Sequence, residues 1–157
     1  MRRWRRSLLT SLILPIAALA LAASALNGAA AGPRSRDETA KVQKVPVESG
    51  GAYTNVNSAG LAAMLRAKAF PLINVHIPYE GEIEGTDLFV PFDQVEANLG
   101  KLPANRNARI VLYCRSGAMS AIAARALVRH GYTDVWNLDG GMIAWEQVGY
   151  PLRHERR

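Results

Sequence analysis

Beyond residue 51 the chain alternates between short unbroken apolar runs and longer stretches whose apolar residues recur every three or four positions. Unbroken apolar runs of four to eight residues suit strands buried on both faces, and a 3.6-residue period suits a helix with one face on a core. Asn57 or Ser58 is placed to cap a helix through "AGLAAMLRAKA". "FPLINVHI", Phe70 to Ile77, reads as a β-rich run, "HIPYEGEIEGTD" as a loop carrying four acids, and "LFVPF" as a second extended piece. Asp93 can cap a short helix, "QVEANLG", that stops at Gly100.

The strongest pattern lies between Ala108 and Tyr132. "ARIVLYC" is an apolar strand ending at Cys114. After the short loop "RSGAM", Ala121, Ala124, Leu127 and Val128 fall on one helical face, Arg125 and Arg129 fall on another, and Gly131 caps the end. "DVWNL" is a further strand and "GGMIAWEQVG" a further short helix. Strands alternating with helices predict an α/β domain with a parallel-type sheet covered on both faces.

The segment before this domain changes the picture twice. "MRRWRR" is basic, and Ser7 to Pro33 contains no charge, with small-residue cleavage sites at Ala23 to Ala25 and Ala29 to Ala31. That is the form of an export signal, and it predicts a periplasmic or otherwise extracytoplasmic location. Left uncleaved, residues 7–26 approach the length of a membrane anchor and would be the one membrane contact. Residues 1–31 are therefore assigned to the signal peptide or anchor, the polar stretch 32–51 to a flexible linker, and 52–157 to the domain. The four arginines at positions 2, 3, 5 and 6 also account for most of the net charge of +6 and leave about +2, so no nucleic-acid footprint is implied. The cluster Arg153, Arg156 and Arg157 reads as a solvated tail.

The chain's single cysteine cannot form an internal disulfide. An unpaired thiol in an exported protein is under oxidative pressure, which favours reactivity as the reason for keeping it. Cys114 sits at the C-terminal end of a strand, where parallel α/β sheets bind ligands. Gly117 permits a tight turn, and the N–H groups of the helix that opens near Ala118 to Ser120 would face the sulfur or its substrate and stabilise a thiolate. Arg115 adds a positive charge if its side chain turns inward. The competing reading is a small buried apolar residue at a strand end. A phosphatase loop would carry an arginine six positions after its cysteine, and Ser120 stands there. One cysteine and three scattered histidines supply no metal-ligand spacing, and no organic cofactor is required.

The stretch "IVLYCRSGAMSAIAARALVRHGYTDVWNLDGGMIAW" resembles the C-terminal half of single-domain rhodaneses, whose active loop typically resembles "CRSGNRS" and here stands as "CRSGAMS". "PLINVHIP" and "GEIEGTDLFVPFD" are similar, more loosely, to the family's "LIDVREP" and "GHIPGAINIPFD", so the resemblance spans about Tyr53 to Leu152. It implies a three-layer sandwich with a small central parallel sheet flanked by helices. It also implies a sulfurtransferase, in which Cys114 takes the outer sulfur of an anion such as thiosulfate, becomes a persulfide, and passes the sulfur to cyanide or a thiol. Arg115, Ser116, Gly117, Ala118, Met119 and Ser120 would form the cradle, and Gly140 and Gly141 would turn the chain into the last helix.

The sequence departs from the family at Met119, where a loop arginine is usual, and at Asn74 and His76, where an aspartate and an arginine are usual. His76 and Tyr79 are accessory candidates. Tyr79, Glu80, Glu82, Glu84 and Asp87 could meet a basic partner or a cation, against the simpler reading of a solvated acidic loop. Trp136 and Trp145 read as core. A monomer is expected. Two rivals stand beside sulfur transfer. One is a non-catalytic rhodanese-fold binding module. The other is a thiol redox enzyme, which would need a resolving thiol from elsewhere.

Overall fold

The computed structural model of the chain describes residues 39–155. The proposed export segment, the first part of the proposed linker, and Arg156 and Arg157 of the C-terminal cluster lie outside them. Strands β1 (Val42–Pro46), β2 (Ala52–Val56), β3 (Leu72–Asn74), β5 (Leu88–Phe89), β6 (Ile110–Tyr113) and β7 (Val135–Leu138) form one sheet in the order β1-β2-β7-β6-β3-β5. All neighbours run parallel except β1, which pairs antiparallel with β2. Two further short strands, β4 (Glu82–Ile83) and β8 (Leu152–Arg153), form a separate antiparallel pair.

β6 lies between β7 and β3, and each of its four residues is buried. Its side chains alternate between the faces of the sheet. Ile110, Leu112 and Cys114 join one core with Ala123, Ala124 and Leu127 of helix α2 (Ala118–Arg129). Val111 and Tyr113 join the other, with Leu61 of α1 (Ser58–Leu65) and Met142 and Trp145 of α3 (Gly141–Gln147). Helices therefore cover both faces, as the rhodanese resemblance implies. Each fully buried Leu or Ile in these layers contributes about 1.5–3 kcal/mol of transfer free energy. The Trp145 indole N–H donates to the Pro151 carbonyl, so this core tryptophan leaves no polar group stranded.

Three expectations are corrected. The domain does not begin at residue 52: Val42–Pro46, assigned to the flexible linker, is strand β1, and Val47 is buried. Gly50 and Gly51 both have positive φ and make the turn between β1 and β2, so glycines read as spacer are the turn of a hairpin. Asn57 caps α1 through Gly60 N–H, and its side chain also accepts from Lys41 N–H and donates to Thr39 O, which extends the domain back to residue 39. Second, α1 ends at Leu65 rather than Ala69: the Arg66 and Ala67 N–H groups turn back to the Ala63 and Met64 carbonyls three residues earlier, a tightened closing turn. Third, "QVEANLG" forms no α-helix. Phe92–Gln94 and Glu96–Lys101 are 3₁₀ turns and Asp93 caps neither; the backbone leaves helical geometry at Asn98 (φ −112°, ψ 18°), which breaks the segment before α-helical bonds can run through it. Among the described residues, no helix is long and apolar enough to cross a membrane.

Candidate active site

Cys114 follows β6 directly, and its sulfur points into the loop leading to α2. The Gly117 N–H donates to Sγ at 3.1 Å, and Ser120 Oγ lies 3.4 Å from the same atom. The Ser120 hydroxyl is also 3.2 Å from the Gly117 carbonyl oxygen, so its one hydrogen has two acceptors to choose between. A thiolate would draw that hydrogen towards sulfur, since a hydrogen bond to a charged acceptor is worth about 1.5–3 kcal/mol against about 1 for a neutral one. Gly117 has φ +89°, and a Cβ there would lie 3.1 Å from Gly140 N and 3.2 Å from Leu138 O. The glycine is thus required both by the left-handed turn and by the closeness of the next strand's end.

The loop is also held from behind. Met142 N–H donates to Cys114 O at 2.9 Å and Ile143 N–H to Arg115 O at 3.0 Å, so the first turn of α3 clamps the peptide that carries the nucleophile. Gly141 is where this contact is closest: an added Cβ would come within 2.4 Å of Cys114 O and 2.7 Å of the Arg115 carbonyl carbon. The double glycine therefore does more than turn the chain into the last helix. The clamp went unread in sequence, although two glycines opening a helix signal a close backbone approach.

Cys114 is 1% exposed, and Gly117 and Ser120 are also buried. Ser116 and Ala118 face solvent, and Met119, half-buried, packs against the α2-side core. The Arg115 side chain does not turn inward. It ion-pairs with Glu80 (Nε to Oε2, 2.9 Å) and more distantly with Glu146 on α3 (Nη1 to Oε2, 3.8 Å).

His76 and Tyr79 lie on the segment that leaves the adjacent strand β3, and no hydrogen bond joins either to Cys114. The His76 side chain is 8% exposed, with Nε2 3.6 Å from Glu80 Oε2. Both its ring nitrogens are buried without a hydrogen-bond partner. Tyr79 packs edge-on against Phe89. Asn74, fully buried, donates to Gly81 O and accepts from His76 N–H, tying strand and loop together where the family has an aspartate.

Glu80, Glu84 and Asp87 of the acidic loop face solvent, and each is ion-paired within the chain. Glu80 meets Arg115, Glu84 meets Arg153, Asp87 meets Lys68 and accepts the Leu72 N–H, and Glu82 is buried in β4. Beneath it, Tyr113 Oη accepts from Ile83 N–H and shares a short hydrogen bond with Thr86. Burial pushes the Tyr113 phenol well above its ordinary value.

A doubly covered parallel sheet with a cysteine in the strand-to-helix loop of its central strand is the architecture of a rhodanese. The chain belongs to that family: the family model described as the rhodanese-like domain matches residues 60–148. It is 30% identical over 117 residues to thiosulfate sulfurtransferase 18 of Arabidopsis thaliana, covering 71% of this chain and 79% of that protein. It is 40% identical over 65 residues to a sulfurtransferase of Allochromatium vinosum, covering 41% of this chain and 59% of that protein. Among solved structures, the rhodanese-related protein from Thermoplasma volcanium superposes with a TM-score of 0.55 at 25% identity, covering 64% of this chain and 98% of that one. The share of the first curated relatives that the chain spans falls from that 59% to 21% for a probable adenylyltransferase/sulfurtransferase of Mycobacterium tuberculosis. Sulfur transfer is the activity these relatives carry at the level of the family.

Proposed function

We propose that the chain is an exported sulfurtransferase that carries sulfane sulfur on Cys114 as a persulfide. The observation that supports this most is the sulfur held between the Gly117 N–H and the Ser120 hydroxyl, in a loop with no phosphate-clamping arginine. In the first step the Cys114 thiolate attacks the outer sulfur of a donor such as thiosulfate. The new S–S bond forms as the donor's own S–S bond breaks, and the electron pair leaves with sulfite. In the second step a thiolate or cyanide attacks the terminal sulfur, and Cys114 departs as thiolate. The loop amides stabilise negative charge on sulfur in both steps without reorganising. Because the cysteine is almost wholly buried, a donor reaches it only after side chains over the loop move aside. Export rests on the basic start followed by the uncharged stretch from Ser7 to Pro33.

The test is the intact mass of the full chain after exposure to a sulfane-sulfur donor. One added sulfur atom, removed by cyanide and missing in Cys114→Ser, is expected. No added sulfur from any donor, with Cys114 still open to alkylation after unfolding, would refute the persulfide. Fractionation of producing cells tests export, which a purely cytoplasmic chain would refute. The burial of Cys114 and the apolar Met119 favour a second reading, a binding module in which the cysteine is core. Partners captured equally by wild type and Cys114→Ser, together with no persulfide, would support it.

A further inference from the structure

Resting on that reading, we propose that Glu80 and Glu146 select the sulfur donor by charge, turning away small dianions such as thiosulfate in favour of an organic persulfide on a neutral or cationic carrier. Arg115 follows the nucleophile directly and is the one cation of the "CRSGAMS" loop. Its guanidinium is held by Glu80 at 2.9 Å and faces Glu146 at 3.8 Å. One guanidinium against two carboxylates leaves surplus negative charge around Arg115, the residue next to the nucleophile, with the His76 ring as the other group facing Glu80 (Nε2 to Oε2, 3.6 Å), and the thiolate adds to it. A dianion must either approach that surplus or draw Arg115 away and leave two carboxylates uncompensated. Both routes raise the barrier, whereas a carrier bearing an ammonium is attracted to the same carboxylates.

The carboxylates come from different parts of the fold. Glu80 is held in the loop after β3, which Asn74 pins through the Gly81 carbonyl. Glu146 stands on α3, the helix that clamps the Cys114–Arg115 peptide. Neither depends on the donor for its position. The persulfide step balances: the Cys114 thiolate bonds to the outer sulfur of R–S–SH, the donor's S–S bond breaks, the thiolate RS⁻ leaves with the electron pair, and the proton stays on the transferred sulfur.

The experiment compares kcat/KM for thiosulfate and for cysteamine persulfide in the full-length wild type, Glu80→Gln, Glu146→Gln and the double variant. The double variant is expected to gain about tenfold on thiosulfate and to lose about threefold on cysteamine persulfide, with Glu80→Gln, the nearer partner, showing more of both than Glu146→Gln. Loss of fold would lower both rates, so opposite signs identify charge selection. Wild type alone supplies a second readout: its thiosulfate rate should rise with added salt, as repulsion is screened. Rates that fall together, rates that do not move, or a wild-type thiosulfate rate that falls with salt would each overturn the selection while leaving the persulfide intact. Failure of both donors to add sulfur to Cys114 in all four proteins would overturn the persulfide reading and the selection with it.

Discussion

The loops leaving the adjacent strands β6 and β3 are held in opposite ways. The loop after β6 is held by main chain: Gly117 N–H on sulfur, and Met142 and Ile143 N–H on the Cys114 and Arg115 carbonyls. Beyond the short main-chain pairing of β4 with β8, the longer loop after β3 is held by side chains: Asn74 on Gly81, Tyr113 on Ile83, Arg115 on Glu80 and Arg153 on Glu84. Main-chain donors cannot be removed by a side-chain change, so the first loop is sensitive to what is added. The second is sensitive to what is taken away.

The largest expected effect is on chemistry alone. Cys114→Ser removes the sulfur but keeps a small residue able to accept from Gly117 N–H. Turnover should fall about a thousandfold or more, to background, while the thermal midpoint stays within a few degrees. A variant that retains turnover would take the nucleophile out of the first loop. Next is the added methyl group of Gly141→Ala, at φ +58° and against the Cys114 carbonyl. We expect about 2–4 kcal/mol of lost stability, read by denaturant unfolding, and faster alkylation of Cys114 as the clamp opens. An unchanged midpoint would show that α3 does not hold the loop.

The contrast between the loops also explains what could be read in advance. The strand, glycine turn and amphipathic helix around Cys114 are local in sequence, and each residue type there has one dominant physical reason, so the site's scaffold was legible. The loop after β3 depends on partners far along the chain: Glu84 on Arg153, Glu80 on Arg115, and Ile83 on Tyr113, thirty positions away. Nothing in "HIPYEGEIEGTD" signals such partners: its acids read as solvated, which holds for Glu80, Glu84 and Asp87, but their ion pairs and the burial of Glu82 could not be read. β1 was missed for a related reason. Its burial pattern is almost wholly exposed, as befits an edge strand, and "VQKVP" lacks the apolar density by which a strand is recognised.

Tyr113→Phe tests the second loop from beneath. It strands the buried Ile83 N–H and deprives Thr86 of its partner, for an expected cost of about 1–3 kcal/mol. The sign of the pH dependence follows from burial. The phenol's value is raised in the folded chain, so the stability it contributes is fully present below about pH 10, the ordinary tyrosine value, and is lost as pH rises from there. The slope reaches at most about 1.4 kcal/mol per pH unit. Wild type should therefore lose stability above pH 10 more steeply than Tyr113→Phe in paired denaturant titrations. Parallel curves would mean that this phenol ionises alike folded and unfolded.

Arg153→Ala should have the smallest effect, and it sharpens the comparison most. Arg153 reaches Glu84 with both carboxylate oxygens within 2.9 Å, yet the two side chains are 42% and 65% exposed. Solvent screening and the entropy of holding two long side chains reduce such a pair to a few tenths of a kcal/mol. The β4–β8 pairing beneath it is made by main chain, and Ile83 is fully buried. We therefore expect a stability change below about 0.5 kcal/mol, shrinking further as the salt concentration rises from low to physiological. A loss above 1 kcal/mol, relieved by neither salt nor Arg153→Lys, would mean that the rim of the second loop is held by this guanidinium's stem and shape. Its ion pairs would then have to be weighed with the buried contacts of Asn74 and Tyr113, and the division between a loop held from within and one tied at its edge would move outward to the surface.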